Sequence, residues 1–588
     1  MNYYSDESDW KWLFKNAVDW DSIIPLYYPV FPTQDGFQNK EEVVSFLEEL
    51  LENTGDWTGK AVTERAQKLD QLGAGEVKDG RTYPNEHLQA LYSEAAELGV
   101  IGLPFPAEVG GMATPSTITL ILLEQMARAC MASSTQMAFF TSIGEMIHRF
   151  CDEETQQRLM PQIAAGKLSG SMCLTEPGCG SDLGMIKTSA KPSEDGKYIL
   201  NGQKCFITNG GGGLGFVLAR IPGEPEGLAG ISMFLVEQDI KDADGNDVLN
   251  FKVTKNEHKM GMHGSFTTEV VYENTVGVLI GEKNQGFKYM LHLMNEARIA
   301  VGTQALGGIE GSLAYARKYA EEREQFGKPL TELPLMKRNL EDFEVERDAI
   351  RALMVDTVSH FDIYQKLDLK KKNGEQLSVE NENLFQDAQL WTRKRTPLVK
   401  YYACEAQTSL TTKAIQVLGG YGYMEEYPVE RYHRDSFGPL LYEGTSQIQA
   451  LMALKDVVKY AVKDPKKFFS NIFFKHPTAS LLSGDNEWSQ DFKTVHYRFK
   501  KNMLKLLLAS LRPQEGVFNA KNWANEENVN SLMEHAETLC QALCYMETLR
   551  VLCEHANKDE SRAELFKKYM VLILPRLEAI YCDWKLRT

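Results

Sequence analysis

The sequence predicts an α+β protein with four folded parts: an N-terminal helical domain, a central β domain, a helical bundle and an additional C-terminal helical domain. The chain has 588 residues, which exceeds the ~250–300 residues at which a single hydrophobic core stops growing. Apolar residues recur with helical spacing in both flanks, whereas the middle is rich in Gly, Asn, Thr and Ser and has only short apolar runs. The expected boundaries are a lead segment at 1–36 and the four parts at 37–166, 167–284, 285–464 and 465–588.

The N-terminal helical domain is predicted from amphipathic stretches. Leu88, Leu91 and Ala95 follow the spacing of one helix face, and that is the face a helix buries. The lead segment is rich in aromatic residues and allows no assignment. Helices are expected at Glu41–Glu52, His87–Leu98, Ser116–Cys130 and Glu154–Ala165.

The central β domain is predicted from short apolar runs separated by turn-forming residues. Asn201-Gly202 lies between two strand-like runs and predicts a tight hairpin, because both residues of such a turn need positive φ. Gly210–Gly215 matches the G-x-G-x-x-G string of dinucleotide-binding sites, but a strand-like run follows where that motif needs a helix, so we interpret it as a turn. Further strands are expected at Phe216–Ala219, Ile231–Val236 and Glu269–Tyr272.

The bundle and the additional domain are predicted from long helical stretches. Helices are expected to end at Gly327-Lys328-Pro329 and at Gly419-Gly420, since glycine commonly ends a helix. The charged segment Lys370–Asn383 is expected to be a solvated loop. The last helical block, Asn486–Thr588, follows a Phe-rich connector at Phe468–Phe474. This block contains no convergent catalytic groups, so we expect it to be architectural.

Composition and charge narrow the class of protein. The net charge of −17 (64 Lys and Arg against 81 Asp and Glu) argues against a nucleic-acid protein that relies on overall positive charge. The N-terminus lacks the segments of a secretory signal, and no apolar run reaches the ~18 residues of a membrane-spanning helix. The 10 cysteines form no C-x-x-C pair, so we expect reduced thiols in a cytoplasmic protein. The scattered histidines predict no metal site. The connector's Phe468, Phe469, Phe473 and Phe474 are expected to pack between domains, and membrane attachment through these rings is the alternative.

A strand-to-turn motif spans Met172–Asp182 and reads M-C-L-T-E-P-G-C-G-S-D. Gly178 and Gly180 allow backbone N–H groups to approach a ligand closely, and Thr175 and Ser181 add hydroxyl groups. The motif is a candidate ligand-binding loop, although the same residues also suit an ordinary turn.

A second motif is Cys205-Phe-Ile-Thr-Asn209. Phe206 and Thr208 are two residues apart and therefore share one face of a strand. A ring beside a hydroxyl can pack on a flat heteroaromatic group and hydrogen-bond its edge. The alternative is an ordinary half-buried strand.

A third motif, E-E-R-E-Q-F-G-K-P, places Arg323 near a helix end. An arginine there can bind a pyrophosphate through paired hydrogen bonds or simply complement the helix dipole.

The fourth motif is Y-E-G-T-S-Q-I-Q, in which Glu443 follows an apolar run. Desolvation would raise the pKa of this carboxyl and make it a stronger base once ionised. Gly444 permits a sharp turn and Thr445 suits the N-cap of the next helix. The alternative is a loop glutamate before a capped helix.

The four motifs, in this order, resemble those of the acyl-CoA dehydrogenase family. The matching blocks, which include F-I-T-N-G and Q-V-L-G-G-Y-G, extend over Ile101–Lys455. The resemblance implies the family's fold, FAD as cofactor, and removal of two hydrogens from the α and β carbons of an acyl-CoA thioester. It also implies fatty acid β-oxidation and electron transfer to an electron-transferring flavoprotein.

The resemblance implies a role for each matching residue. Glu443 would be the base that takes the α proton, and its N–H would polarise the thioester oxygen together with a flavin hydroxyl. Phe206 would lie against the flavin ring and Thr208 near its N5. The implied FAD contacts are Met172, Leu174, Thr175, Gly180, Ser181, Phe206, Thr208, Arg323, Gln325, Phe326, Gln416, Gly419, Gly420, Thr445 and Gln447. The implied substrate contacts are Ser181, Asn295, Arg298, Tyr442 and Gly444.

Several alternatives stay open within the resemblance. A minority of the family carries the base one residue before Arg298, where this chain has Ala297; Glu296 is adjacent but about 100° around the helix. Asn295 stands where some members have Asp. The extra C-terminal length resembles extended members of the family, for which we expect a homodimer whose Arg323, Gln325, Gln416, Gly419 and Gly420 hold the neighbouring subunit's FAD. The rival functions are an acyl-CoA oxidase and a DNA-associated flavoprotein of the same fold.

Overall fold

The computed structural model describes residues 1–241, 244–463, 466, 481, 484–511, 516 and 519–588. The connector Phe468–Phe474, on which membrane attachment was one alternative, lies outside the described residues. In the described part of the chain, a mainly antiparallel sheet follows an N-terminal set of helices and precedes two further helical sets, and the N-terminal helix Ser116–Ala129 packs directly on the helix Gly286–Glu322 of the second set. Within these ranges no helix combines the length and apolarity needed to cross a membrane.

The N-terminal helices follow the amphipathic stretches closely. Asn39, Asn85 and Asp152 each begin a helix by accepting a hydrogen bond from a backbone N–H of its first turn. A small hairpin, β1 and β2, precedes α5. The elements are α1 Ser8–Asn16, α2 Trp20–Tyr27, α3 Lys40–Trp57, α4 Thr63–Leu72, β1 Gly75–Lys78, β2 Arg81–Pro84, α5 Glu86–Glu97, α6 Ser116–Ala129, α7 Met131–Phe150 and α8 Glu153–Ala164.

The lead segment, which the sequence left unassigned, forms two buried helices. Trp10, on α1, is almost fully buried. Trp12 Nε1 donates a hydrogen bond of 2.7 Å to Asp559 Oδ2, and Asp9 pairs with Arg562 at 2.6 Å. The start of the chain is therefore held by residues close to its C-terminus.

The central sheet has seven strands in the order β10-β11-β5-β4-β6-β3, and β7 pairs with β11 and β6. β3 runs parallel to β6, and the other long pairs are antiparallel. β8 and β9 form a separate hairpin. The strands are β3 Ser169–Cys173, β4 Ser189–Pro192, β5 Tyr198–Thr208, β6 Gly213–Arg220, β7 Ile231–Glu237, β8 Asp239–Lys241, β9 Asp247–Leu249, β10 Lys252–Asn256 and β11 Thr267–Leu279.

The hairpin predicted at Asn201-Gly202 is wrong. Both residues lie inside the continuous strand β5, where Asn201 pairs with Ser189 and Gly202 with Tyr272. A Cβ on Gly202 would lie 2.4 Å from the Thr188 Oγ1 atom. The glycine therefore allows a close approach of two strands rather than a turn.

The third part of the chain is a bundle of long helices. Its elements are α9 Gly286–Glu322, β12 Glu324–Gln325, β13 Lys328–Pro329, α10 Pro334–Lys372, α11 Val379–Leu418, α12 Val429–Asp435, α13 Phe437–Leu441 and α14 Ser446–Lys463. The end at Gly419 is as predicted, with Gly419 at a φ of 64°.

Two predicted features of the bundle differ in the structure. α9 ends at Glu322, not at Gly327, because Phe326 and Gly327 both adopt positive φ and form the turn of the hairpin β12–β13. The predicted loop Lys370–Asn383 is mostly helical, since α10 continues to Lys372 and α11 starts at Val379. Ser378 caps α11 by accepting a hydrogen bond from the Asn381 N–H.

The additional C-terminal domain is helical, as predicted. Its second-last helix, α18, packs against α10, α11 and α14 of the bundle. The elements are α15 Glu487–Ser510, α16 Ala520–Trp523, α17 Glu526–Met533, α18 Ala536–Lys558 and α19 Ala563–Arg587.

Candidate active site

A cavity of about 1560 Å³ opens between the central sheet and the bundle. Its walls come from the Met172–Asp182 loop, the end of β5, and the helices α9, α10, α11 and α14. A cavity of this size accommodates a ligand larger than a typical drug. The predicted site residues that line it are Met172, Leu174, Thr175, Gly180, Ser181, Phe206, Thr208, Asn295, Arg298, Tyr442, Glu443, Gly444 and Thr445.

Glu443 lies on a tight turn between α13 and α14. Its φ is 55° and that of Gly444 is 93°. This conformation turns both carbonyl groups toward protein donors: the Glu443 carbonyl accepts hydrogen bonds from Arg298 Nε at 3.2 Å and Gln449 Nε2 at 3.0 Å. Lys400 Nζ donates to the Gly444 carbonyl at 2.8 Å. The carbonyls are thus anchored in protein, and the carboxyl group of Glu443 lines the cavity.

The electrostatic surroundings of Glu443 suit a base. Burial raises the pKa of its carboxyl, while the charges of Arg298 and Lys400 oppose that rise. Such a group is more basic once ionised than an ordinary glutamate. The Glu443 N–H makes no hydrogen bond to any residue that the structure describes, so it is available to a ligand oxygen in the cavity.

The Met172–Asp182 loop owes its shape to a buried ion pair. Gly178 has a φ of 84°, and Glu176 and Cys179 exchange two backbone hydrogen bonds of 2.9 Å. The carboxylate of Glu176 turns back into the sheet, where Lys204 Nζ donates to it at 2.8 Å and to the Leu174 carbonyl at 2.9 Å. Lys204 was not singled out from the sequence, although a lysine within an apolar strand is itself unusual.

Phe206 and Thr208, which the sequence predicts on one strand face, both line the cavity. Phe206 adopts a φ of 58° and is 66% exposed. An aromatic ring in a left-handed conformation and without a packed partner is costly for the protein alone. The arrangement fits a ligand surface on which this ring packs.

The other predicted contacts lie outside the cavity, on an exposed surface. They are Arg323, Gln325, Phe326, Gln416, Gly419, Gly420 and Gln447. The C-terminal ends of α9 and α11 lie close together on this surface. The ring centroids of Tyr319, on α9, and Tyr421, just after α11, are 6.4 Å apart. A Cβ on Gly419 or Gly420 would meet no atom within 4 Å, so the backbone is open to an approaching group.

Three cations at the outer end of the cavity were missed by sequence reasoning. Arg393 of α11 and Lys455 and Lys459 of α14 line this end, which we call the cationic mouth. Arg393 Nε donates to Asp456 Oδ2 at 3.1 Å and so links α11 to α14. No local motif marks these three residues. In a sequence they resemble the many helical lysines and arginines that are only solvated.

Glu296, the alternative base, does not line the large cavity. It lines a separate space of about 50 Å³ between α6, α7 and α9, together with Glu145. Burial raises the pKa of both carboxyl groups; the neighbouring Glu296 raises that of Glu145 further, whereas the hydrogen bond with Glu145 and the charge of Arg149 oppose the rise at Glu296. Ala297 lines neither cavity.

Comparisons with known proteins agree with this layout. Three family models match the chain: acyl-CoA dehydrogenase N-terminal domain at residues 47–167, middle domain at 171–275 and C-terminal domain at 284–458. Acryloyl-CoA reductase (NADH) of Anaerotignum propionicum is 32% identical over 66% of this chain and 90% of its own. An acyl-CoA dehydrogenase of Bacillus subtilis is 33% identical over 62% of this chain and 88% of its own.

Solved structures extend the likeness to the additional domain. An acyl-CoA dehydrogenase complexed with FAD, from Bacillus anthracis, has a TM-score of 0.75 at 22% identity and covers 97% of this chain and 91% of its own. At that identity the likeness concerns the fold. A structure from work on the electron transferring flavoprotein of Acidaminococcus fermentans has a TM-score of 0.57 at 28% identity, over 70% of this chain and 97% of its own.

Proposed function

Since the chain belongs to the acyl-CoA dehydrogenase family and is therefore an FAD-dependent oxidoreductase, we propose that it oxidises an acyl-CoA thioester to the trans-2-enoyl-CoA with Glu443 as the base. The observation that carries this proposal is the Glu443 turn. A carboxyl of raised pKa lines the large cavity, and the N–H of the same residue makes no hydrogen bond to a described residue.

The residues of the cavity fit FAD. The exposed ring of Phe206 stands beside the hydroxyl of Thr208, which is what a flat heteroaromatic group with polar edges requires. Bound FAD supplies the hydride acceptor. The residues that would hold its ring system are those of the Met172–Ser181 loop with Phe206 and Thr208.

The chain's own groups account for the proton. Glu443 would take the α proton, and its N–H would donate to the thioester oxygen, where negative charge develops. Arg298 holds the Glu443 carbonyl and thereby restrains the Glu443–Gly444 peptide, on the C-terminal side of the base. Gln449 and Lys400 fix the rest of the turn. The base and the oxyanion donor thus belong to one anchored residue, so their relative position changes little during the reaction.

The cationic mouth supports CoA as the carrier of the acyl group. Arg393, Lys455 and Lys459 lie at the outer end of the cavity that Glu443 lines. Asp456 lines the same cavity and pairs with Arg393, so the three cations leave an excess of positive charge there, which suits the phosphates of a nucleotide. Arg298 Nη1 donates a hydrogen bond of 2.9 Å to Asn295 Oδ1. Asn295 would therefore act on the substrate through that arginine as well as directly.

The proposed electron acceptor is an electron-transferring flavoprotein, and the proposed compartment is the cytoplasm. An electron-transferring flavoprotein is favoured because a structural neighbour comes from work on such a flavoprotein. Reduced cysteines favour the cytoplasm, and the negative net charge disfavours the DNA-associated alternative.

A panel of acyl-CoAs tests the proposal. Anaerobic addition of a substrate acyl-CoA is expected to bleach the flavin absorbance stoichiometrically, and an electron-transferring flavoprotein should restore it faster than air does. Reoxidation by air at the rate of turnover would identify an oxidase instead. A chain that retains FAD but is bleached by no acyl-CoA of any length or branching would contradict the proposed reaction.

We also propose a homodimer in which Arg323 binds the partner's FAD. Arg323→Ala is expected to weaken FAD binding by roughly tenfold to a hundredfold, as is typical for the loss of a charge-assisted hydrogen bond. Flavin retained after gel filtration and the mass from light scattering measure this. Arg338→Ala, which removes an arginine from an exposed surface pair, is the matched control. A monomer with full FAD occupancy would contradict the shared site.

A further inference from the structure

Helix α11 presents opposite faces to the cavity and to the additional domain. Gln389, Arg393 and Thr396 line the cavity. Trp391 and Arg395 lie roughly 160–200° around the helix from Arg393, given about 100° per residue. Arg395 is 1% exposed and stacks over Trp391, with 3.7 Å between its guanidinium carbon and the ring centre. The helix that carries the cationic mouth is therefore supported from behind.

A network of five charges forms that support. Arg395 Nε lies 3.2 Å from Asp356 Oδ2 of α10, and Arg395 Nη2 lies 3.1 Å from Glu547 Oε2 of α18. Arg550 of α18 closes the network at 3.1 Å from Asp356 Oδ2 and 3.0 Å from Glu547 Oε2, and it also pairs with Glu554 of its own helix at 2.7 Å. Two arginines and three carboxylates thus join three helices, and one of these helices belongs to the additional domain.

The two arginines of the network are buried and depend on its carboxylates for compensating charge. Arg550 is 4% exposed, and an uncompensated charge at such a depth costs several kcal/mol. The arginines hold the pKa of Asp356 well below its usual range despite burial. A helix held at one fixed position by such charges keeps the side chains of its other face in place as well.

We propose that Glu547 and Arg550 of the additional domain are positioning residues for the substrate: they set α11 so that Arg393 meets Lys455 and Lys459 at the spacing that binds the nucleotide of CoA. This inference rests on the proposed function. It assigns the additional domain a part in substrate affinity, beyond the architectural role that the sequence alone suggests. Neither residue lines the cavity, so neither acts on the reacting atoms.

Two substrates that share one acyl group test the proposal. The acyl-CoA carries the nucleotide that reaches the cationic mouth, and the corresponding acyl-pantetheine thioester does not. In the FAD-loaded Arg550→Gln enzyme, we expect KM for the acyl-CoA and the dissociation constant of free CoA by calorimetry to rise about tenfold. We expect kcat and flavin content to stay within twofold, and KM for the pantetheine thioester to stay unchanged.

Three further variants complete the experiment. Arg550→Lys should recover most of the affinity for acyl-CoA. Glu547→Gln repeats the measurement with less disturbance where Arg550→Gln folds poorly. Arg498→Gln breaks an exposed pair with Glu578 in the same domain, so both its KM values should match those of the wild type.

The possible failures are distinguishable. Equal rises in KM for both thioesters, or no rise for either in both Arg550→Gln and Glu547→Gln, would overturn the positioning role. A wild-type enzyme that no acyl thioester bleaches would overturn the proposed function itself, and the affinity of free CoA would then still report on the cationic mouth.

Discussion

The Glu443→Gln enzyme is expected to retain its flavin and to bind acyl-CoA, yet the rate at which acyl-CoA bleaches the flavin should fall by at least ~10²–10⁴-fold. A loss of this size is usual when a general base is removed. Glutamine preserves the shape of the side chain and the anchored turn, since Arg298 and Gln449 bind the backbone carbonyl and not the carboxyl. Only the ability to accept the α proton disappears. Anaerobic stopped-flow absorbance of the flavin measures the rate.

Two controls bear on this prediction. Glu296→Gln removes a buried carboxyl that faces the smaller cavity, so its bleaching rate should stay within a few-fold of the wild type. The rate should fall as pH falls through a pKa above the ordinary glutamate value, because protonation removes the base. A Glu443→Gln enzyme that reduces its flavin within a few-fold of the wild-type rate would disprove the assignment.

The Lys204→Met variant is expected to lose about 3–5 kcal/mol of the free energy of unfolding of the β domain, because it leaves the carboxylate of Glu176 buried without its cation. Lys204 is 0% exposed and lies 2.8 Å from that carboxylate. The loop that Glu176 closes lines the cavity, so flavin should also be released at a lower temperature. Denaturant unfolding, followed by circular dichroism and flavin fluorescence, reports both effects.

A double variant separates charge from packing. Lys204→Met combined with Glu176→Gln removes both charges and should recover a large part of the loss. Lys255→Met, at an exposed pair with Glu257 in the same domain, should change stability by less than about 1 kcal/mol. A loss that small for Lys204→Met would show that the hydrogen bonds from the Lys187 N–H and from the N–H and hydroxyl of Thr188 satisfy Glu176 without the cation.

The parts of the fold that sequence predicts well are those that local chemistry determines. The helices at Lys40–Trp57 and Ser116–Ala129 follow from apolar spacing and lie within a few residues of expectation, apart from a C-terminal extension of the first. The Asn201-Gly202 hairpin fails because a tertiary contact with Thr188 uses the glycine differently. The predicted end of α9 at Gly327 is wrong for a related reason. Phe326 and Gly327 both adopt positive φ and form the turn of a hairpin, and a Gly-Lys-Pro pattern does not distinguish such a hairpin from a helix end.

The residues of the candidate site also divide into those that the local sequence reveals and those that only the folded chain brings together. Residues on contiguous motifs, such as Thr175 and Glu443, are found from sequence and meet in one cavity. Lys400 reaches the Gly444 carbonyl from the middle of a helix 44 positions earlier. The apolar run P-L-V-K-Y-Y-A-C around it indicates a buried lysine, but it does not identify the partner. Lys455 likewise becomes recognisable only when the fold brings it to the mouth of the cavity.

The contact between Trp12 and Asp559 has a consequence for how the protein is made. The two residues are 547 positions apart, so at about 5–20 residues per second a ribosome needs roughly 30–110 s to deliver the partner after the first is synthesised. A helix as short as α1, with nine residues, is marginal on its own in water. Throughout translation Trp12 therefore lacks the C-terminal groups that contact it in the finished protein, whereas Trp10 has its partner Arg351 once α10 is made. The contacts of helix α1 are thus completed only at the end of synthesis, and until then Trp12 is a site that a chaperone can bind.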